Sequence, residues 1–299
     1  MSSAEVRPLP RGSLVDIGGR RLRIVCEGPK GAVPVVIFEA GAFGLAADWA
    51  AVQALLAADG VHSCAYDRAG MGFSDPGPDP RDGLAIARDL EALLAAVQEP
   101  APYILVGHSM AGLRLPLFVA RNPGKVLGVV LVDAATPEDA ETSATRAMIG
   151  QFAGVSRMAA WGASAGLMKP LGFMADTIGL PPRAAAEKRW AFANGRHNRT
   201  AAAEVETWMA TAEQARAAGP LDPLLPVAVI TAGHHPQGQD SPQAAPARRS
   251  RHGYYANVAR AHHASLLGSK FAAEIVKGID FVRDAAARES RAQARDSQG

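Results

Sequence analysis

The chain has 299 residues, 48% of them hydrophobic and 20% charged, a globular composition with enough length to bury a sizeable core. Lys and Arg total 31 against 29 Asp and Glu, leaving a net charge of +2, which is too balanced for the basic footprint that nucleic-acid binding requires. The length suits one α/β domain carrying an insertion.

The opening Met-Ser-Ser-Ala-Glu carries an acid and no apolar run, and the last residues resemble no sorting signal, so the expected location is the cytoplasm. From residue 20 strands and helices alternate. "RRLRIVCEG" and "VPVVIFEAG" read as strands, "LAADWAAVQALLAAD" as helix, and "VHSCAYDRAG" as strand. Then come the helix "GLAIARDLEALLAAVQ", the strand "YILVGHS", the helix "GLRLPLFVARNP" and the strand "VLGVVLVDA". Short apolar runs between helices of period 3.6 argue for a mainly parallel sheet covered on both faces, with ligand sites at the strands' C-terminal ends. Cys26 and Cys64 each sit in an apolar strand, where they are expected to be reduced packing residues. Pro116 is expected to bend the helix it interrupts.

After Asp133 the rhythm breaks. Residues 134–222 read as helices, and the strand "PVAVITAG" follows. The expected division is therefore a core of residues 1–133 and 223–299 with a helical cap at 134–222, the tail from about residue 284 being disordered. The insertion is rich in Met148, Phe152, Met158, Trp161, Met168, Phe173, Met174, Trp190, Phe192, Trp208 and Met209. Most of these should form its own core, and the remainder should line an apolar pocket. Residues 158–180 are apolar but contain Lys169, Pro170 and Asp176, so no stable membrane insertion is expected. "ARRSRHGYY" at 247–255 reads as a solvated helix face.

Two serines compete as nucleophile. "WGASAGL" fits G-x-S-x-G with Ser164 at its centre, whereas "GHSMAGL" has Ala111 where the pattern wants glycine. The chemistry needs a strand that ends abruptly, a strained turn that lifts the serine above the sheet, and a helix whose first amide points back at the reacting carbonyl. Ser109 follows the strand "YILV" and precedes an apolar-periodic helix, with small residues Gly107 and Ala111 where the two backbones must approach. Ser164 has no strand before it and reads as a loop or helix break.

A serine hydroxyl needs a base, and the base needs a carboxylate to fix its tautomer. Behind such a turn the partners follow in the order Ser, Asp, His. The late histidines are His234, His235, His252, His262 and His263. His263 is favoured as base, with His262 as its rival, because both lie just before the final amphipathic helix. Asp133 closes the strand after the nucleophile's and is favoured as acid; Asp240, in a polar loop after "VAVITAG", is the alternative. The oxyanion donors are expected at the amides of Met110 and Ala42, with Phe43 as alternative to Ala42. His234, His235 and Asp240 do not make a convincing metal site, so no metal is expected.

The stretches "FEAGAFG", "AYDRAGMGFSDPGP", "YILVGHSMAGL", "VLVDAATPED" and "HHASL" resemble the α/β-hydrolase family, in particular its capped esterase members, over residues 20–282. The resemblance implies an α/β-hydrolase fold, a mainly parallel sheet flanked by helices with an inserted helical cap. It also implies cleavage of a small-molecule carboxylic ester through an acyl-enzyme, with no cofactor. Dehalogenases and epoxide hydrolases of the family use Asp where this chain has Ser109. Dehalogenase-like members place the acid after the sixth strand, which favours Asp133. Asp67, Arg68 and Ser74 match a loop-shaping segment. Ala40 stands where many members have His. A cofactor-free perhydrolase, a C–C bond hydrolase and a non-catalytic ligand receptor are the alternatives that share these parts.

Overall fold

The computed structural model describes residues 7–138, 140, 143–168, 178–233 and 238–296. Eight strands form one sheet in the order β1-β2-β4-β3-β5-β6-β7-β8. The antiparallel edge is β1 (Ser13–Asp16) and β2 (Arg21–Glu27). Next come β3 (Val35–Glu39), β4 (Ser63–Asp67), β5 (Tyr103–His108), β6 (Val126–Val132), β7 (Val227–Ala232) and β8 (Gly253–Val258), all parallel. Every residue of β3, β4, β5 and β7 is buried. That is why these strands read as continuous apolar runs instead of alternating ones.

Helices cover both faces. On one, α1 (Ala50–Ala58) and the long α9 (Ala272–Asp296) pack Val52, Leu56, Ile275 and Ile279 against Val36, Val106 and Ile230. On the other, α2 (Gly83–Ala96) and α3 (Leu115–Arg121) pack Leu90, Leu93 and Phe118 against Val35, Leu105 and Val129. The chain leaves β3 toward β4 on one side and returns as β5 on the other. The sheet therefore has a topological switch point at the C-terminal ends of β3 and β5, where a crevice opens.

Between β6 and β7 lie α4 (Ser143–Ser164), α5 (Pro182–Phe192), α6 (Gly195–Glu206) and α7 (Trp208–Ala217). α5 seats Ala184, Ala185 and Ala191 on Leu45, Ala47 and Ala50. The apolar residues of α4 depart from the expectation that they are mostly internal. Met148, Val155, Met158 and Trp161 are exposed, Trp161 at 70%, while Phe173 and Met174 lie outside the described residues. No helix among the described residues is long and apolar enough to cross a membrane.

The structure corrects several local expectations. Cys26 and Cys64 are joined in a disulfide, because the antiparallel register of β2 and β4 sets them directly opposite each other. "ARRSRHGYY" is not one helix face. α8 (Ala245–Arg249) ends within it, and Gly253 begins β8, the outer parallel strand. Pro116 bends nothing: the chain after Ser109 first makes a tight 3-10 turn to Leu113, and Pro116 sits in the first turn of α3, where its missing N–H costs no bond. From Ala272 the last helix continues unbroken to Asp296, past the residue-284 limit expected from sequence.

Candidate active site

Ser109 follows β5 directly, and its backbone is left-handed, with φ of 56°. A non-glycine residue pays conformational strain there, which persists only where its surroundings force it. The forcing contacts are visible. A Cβ on Gly107 would lie 3.0 Å from Ala111 Cβ and 2.8 Å from Leu115 Cδ1. Alanine at position 111 is therefore accommodated because position 107 is glycine. Ser164, by contrast, ends α4 and bonds its hydroxyl to the Ala160 carbonyl of the previous turn.

Ser109 and His263 line one cavity of about 400 Å³ with Gly41, Ala42, Phe152, Phe192 and Trp208. No hydrogen bond joins Ser109 to His263 among the described residues. Asp133, just past β6, has a left-handed φ of 42° and is 8% exposed. Its Oδ2 lies 2.6 Å from His263 Nδ1, and its Oδ1 accepts from the Ala232 amide at 3.1 Å. Burial alone would raise the Asp133 carboxyl, but the His263 and Ala232 hydrogen bonds outweigh it and hold the group below its ordinary value. Asp240, the rival acid, is exposed on a short 3-10 turn. His262, the rival base, has its amide on the Ser265 hydroxyl. His234 and His235 lie outside the described residues.

His108 sets the height of the histidine loop. Its ring packs 4.4 Å from the His263 ring, and its Nε2–H donates to the His263 carbonyl at 3.1 Å. Burial, with His263 nearby, pushes His108 down to about 3, so it stays neutral.

The turn after β3 is built around its carbonyls. The Gly44 amide bonds to Gly41 O at 3.1 Å, closing a turn with Ala42 and Phe43 at its centre and Phe43 at φ 57°. Arg68 donates to the carbonyls of Ala40 and Gly41, and Arg114 donates to Ala40 as well. His197 of α6 donates Nε2–H to the Phe43 carbonyl at 3.2 Å while its Nδ1 accepts from the Gly72 amide. With these carbonyls drawn back, Ala42 faces the cavity. Met110 is the second residue of the 3-10 turn, where amides lack a partner within the helix.

Arg68 does more than shape its own loop. With Arg114 it meets the carboxylates of Glu39 at the end of β3 and Glu204 of α6, all four buried. Burial alone would raise Glu204, yet the two guanidiniums hold it below its ordinary value. Glu39 also accepts from the Tyr66 hydroxyl. Lys188 of α5 reaches over the cavity wall to the carboxylate of Asp48 at 2.8 Å. Asp67 receives the Ala46 and Phe73 amides and Arg23. Arg114, Glu204, His197, Lys188 and Asp48 carry no motif that would have marked them in the sequence.

Residues 34–234 match the family described as the alpha/beta hydrolase fold. The chain belongs to the α/β-hydrolase family. A probable transporter, efuK, from Hormonema carpetanum is 36% identical over 129 residues, which is 41% of this chain but 18% of that protein. The chain thus spans under a fifth of that relative's length. Among solved structures, a putative epoxide hydrolase from Pseudomonas aeruginosa shares 18% identity at a TM-score of 0.70, covering 91% of this α/β hydrolase and 96% of that chain. The enol-lactonase from Burkholderia xenovorans shares 19% identity at 0.64, covering 92% and 100%. At these identities the likeness is one of fold. The fold supports a hydrolase.

Proposed function

We propose that this α/β hydrolase is a serine esterase. The observation that carries the reading is the 2.6 Å contact between Asp133 and His263 Nδ1 beside a serine at φ 56°. With the Nδ1 proton directed to Asp133, His263 keeps a lone pair on Nε2, the form a general base needs. Ser109 Oγ attacks the ester carbonyl, His263 takes the serine proton and returns it to the leaving alcohol, and water then releases the acyl group by the reverse sequence. The amides of Ala42 and Met110 stabilise the oxyanion.

Phe152, Phe192 and Trp208 in the cavity suit an uncharged acyl or alcohol group. A solved neighbour acts on an enol-lactone, itself a cyclic ester. The residues between β6 and β7 serve in this reading as a cap.

Hydrolysis of p-nitrophenyl butyrate by the wild type, Ser109→Ala and Ser164→Ala tests the proposal. Ser109→Ala should lose on the order of a thousandfold or more, as when a triad nucleophile is removed, and Ser164→Ala should not. A wild type inert toward this and longer esters would end the esterase reading.

A further inference from the structure

At the edge of the sheet opposite Ser109, four metal-ligating side chains converge. Cys26 in β2 and Cys64 in β4 face each other, His62 immediately precedes β4, and Glu99 stands in the turn between α2 and β5. His62 Nε2 lies 3.2 Å from Glu99 Oε2 and 3.8 Å from Cys64 Sγ. One ligand atom from each residue falls within 4.8 Å of the other three. His62, Cys64 and Glu99 are buried, while Cys26 reaches solvent.

The set is rich in electron donors and poor in positive charge. Among the described residues the Glu99 carboxylate has His62 as its side-chain partner and no Lys or Arg. Elsewhere among the described residues the buried carboxylates of Glu39 and Glu204 are met by guanidiniums, that of Asp48 by Lys188, and that of Asp133 by a backbone amide besides its imidazole. A buried carboxylate held by one imidazole beside two sulfurs lacks the cation that usually compensates such a charge.

We propose that, once the disulfide is reduced, Cys26, Cys64, His62 and Glu99 hold one zinc ion, so that disulfide and ion are alternative occupants of the same place. Zinc bonds of about 2.3 Å to sulfur and about 2.0–2.1 Å to nitrogen and oxygen set neighbouring tetrahedral ligand atoms about 3.3–3.8 Å apart. The His62–Glu99 and His62–Cys64 spacings already lie near that range. What must change is the sulfur pair, which separates when its bond breaks.

The chemistry balances with an external thiol as reductant. Two thiol molecules supply two electrons, the Cys26–Cys64 bond opens to two thiols, and the reductant leaves as its own disulfide. Zinc then displaces both thiol protons to solvent. Glu99 supplies one oxygen, and His62 supplies its Nε2 lone pair with its proton on Nδ1. Thiolate and imidazole ligands select zinc over magnesium or calcium. Four protein ligands leave no open position, so the ion would staple β2, β4 and the turn before β5 without touching the catalytic cavity. This inference does not depend on the esterase reading.

The test is zinc uptake by the full chain, prepared with and without a thiol reductant, dialysed against zinc chloride and desalted before metal analysis. The reduced chain should retain one zinc and the disulfide form none, the other surface histidines being common to both. Cobalt should give the reduced chain alone the intense thiolate-to-metal absorption of a tetrahedral site. Glu99→Gln, nearly isosteric, should weaken zinc by at least the tenfold to hundredfold typical of losing even an outer-shell partner. Equal zinc in both redox forms, no zinc in the reduced form, or full affinity in Glu99→Gln would each overturn the proposal.

Discussion

Asp133 and His263 meet across 2.6 Å from loops 130 residues apart. The contact joins the end of β6 to the segment after β8. If Asp133 fixes the imidazole tautomer, Asp133→Asn should lower kcat by roughly ten-thousandfold while the protein stays folded. Asp240→Asn should leave the rate near wild type. Steady-state kinetics on one p-nitrophenyl ester separates the two, and comparable losses in both variants would remove Asp133 from its role.

The two adjacent histidines make a matched pair of variants. His263→Ala should lose on the order of a thousandfold in rate. His262 bonds through its backbone amide to Ser265, a contact that survives loss of the ring. His262→Ala should therefore keep most of its activity, and a reversed order of effects would move the base to position 262.

Gly41 tests the closeness of the two loops without replacing an ionisable side chain. A methyl there would lie 2.8 Å from Ser109 Cβ and 3.1 Å from His108 Nδ1. Gly41→Ala should displace Ser109 and cost about a hundredfold in kcat, with the circular-dichroism spectrum unchanged. An alanine variant of normal activity would mean that the turn after β3 is much looser than its hydrogen bonds suggest.

The buried charges should show in stability more than in chemistry. Glu204→Ala strands Arg68 and Arg114 with one shared carboxylate, a loss of about 3–5 kcal/mol for a broken buried pair. Urea unfolding should show the midpoint fall accordingly. A change below about 1 kcal/mol, the worth of an exposed pair, would contradict the burial of the network.

Acid sensitivity follows from two neutral histidines. Burial pushes His108 down to about 3 and His197 down to about 4, from an ordinary value of 6.5. In the unfolded chain both take a proton below about 6.5, so the unfolded state binds more protons there. Their contribution is full above that pH and is lost progressively below it, down to about 4 for His197 and about 3 for His108. The urea midpoint should drop between pH 7.5 and pH 5, and His197→Asn should flatten that slope. A midpoint constant over this range would rule out buried neutral rings.

The strand–turn–helix around Ser109 was legible because its constraints are local: an apolar strand, small residues at 107 and 111, and a helix, all within a few positions. The parallel sheet was legible because its inner strands are buried on both faces. Contacts between distant elements left no such trace. Arg68 and Glu204 are 136 residues apart, and neither carries a pattern that names its partner. β8 was missed because an edge strand needs no apolar run, and GYYANV is only partly buried. The Cys26–Cys64 bond depends on the register of β2 against β4, which two isolated apolar strands do not reveal.

The hold that α5 and α6 keep on the turn after β3 fixes one wall of the cavity. His197 and Lys188 grip the Phe43 carbonyl, and Glu204 is locked to two guanidiniums from the other side. Swinging these helices outward would expose buried charges and free the peptide groups that face the cavity. They are a fixed wall, not a door. Phe152 of α4 lines the same cavity through ring contacts with Phe43 and Trp208.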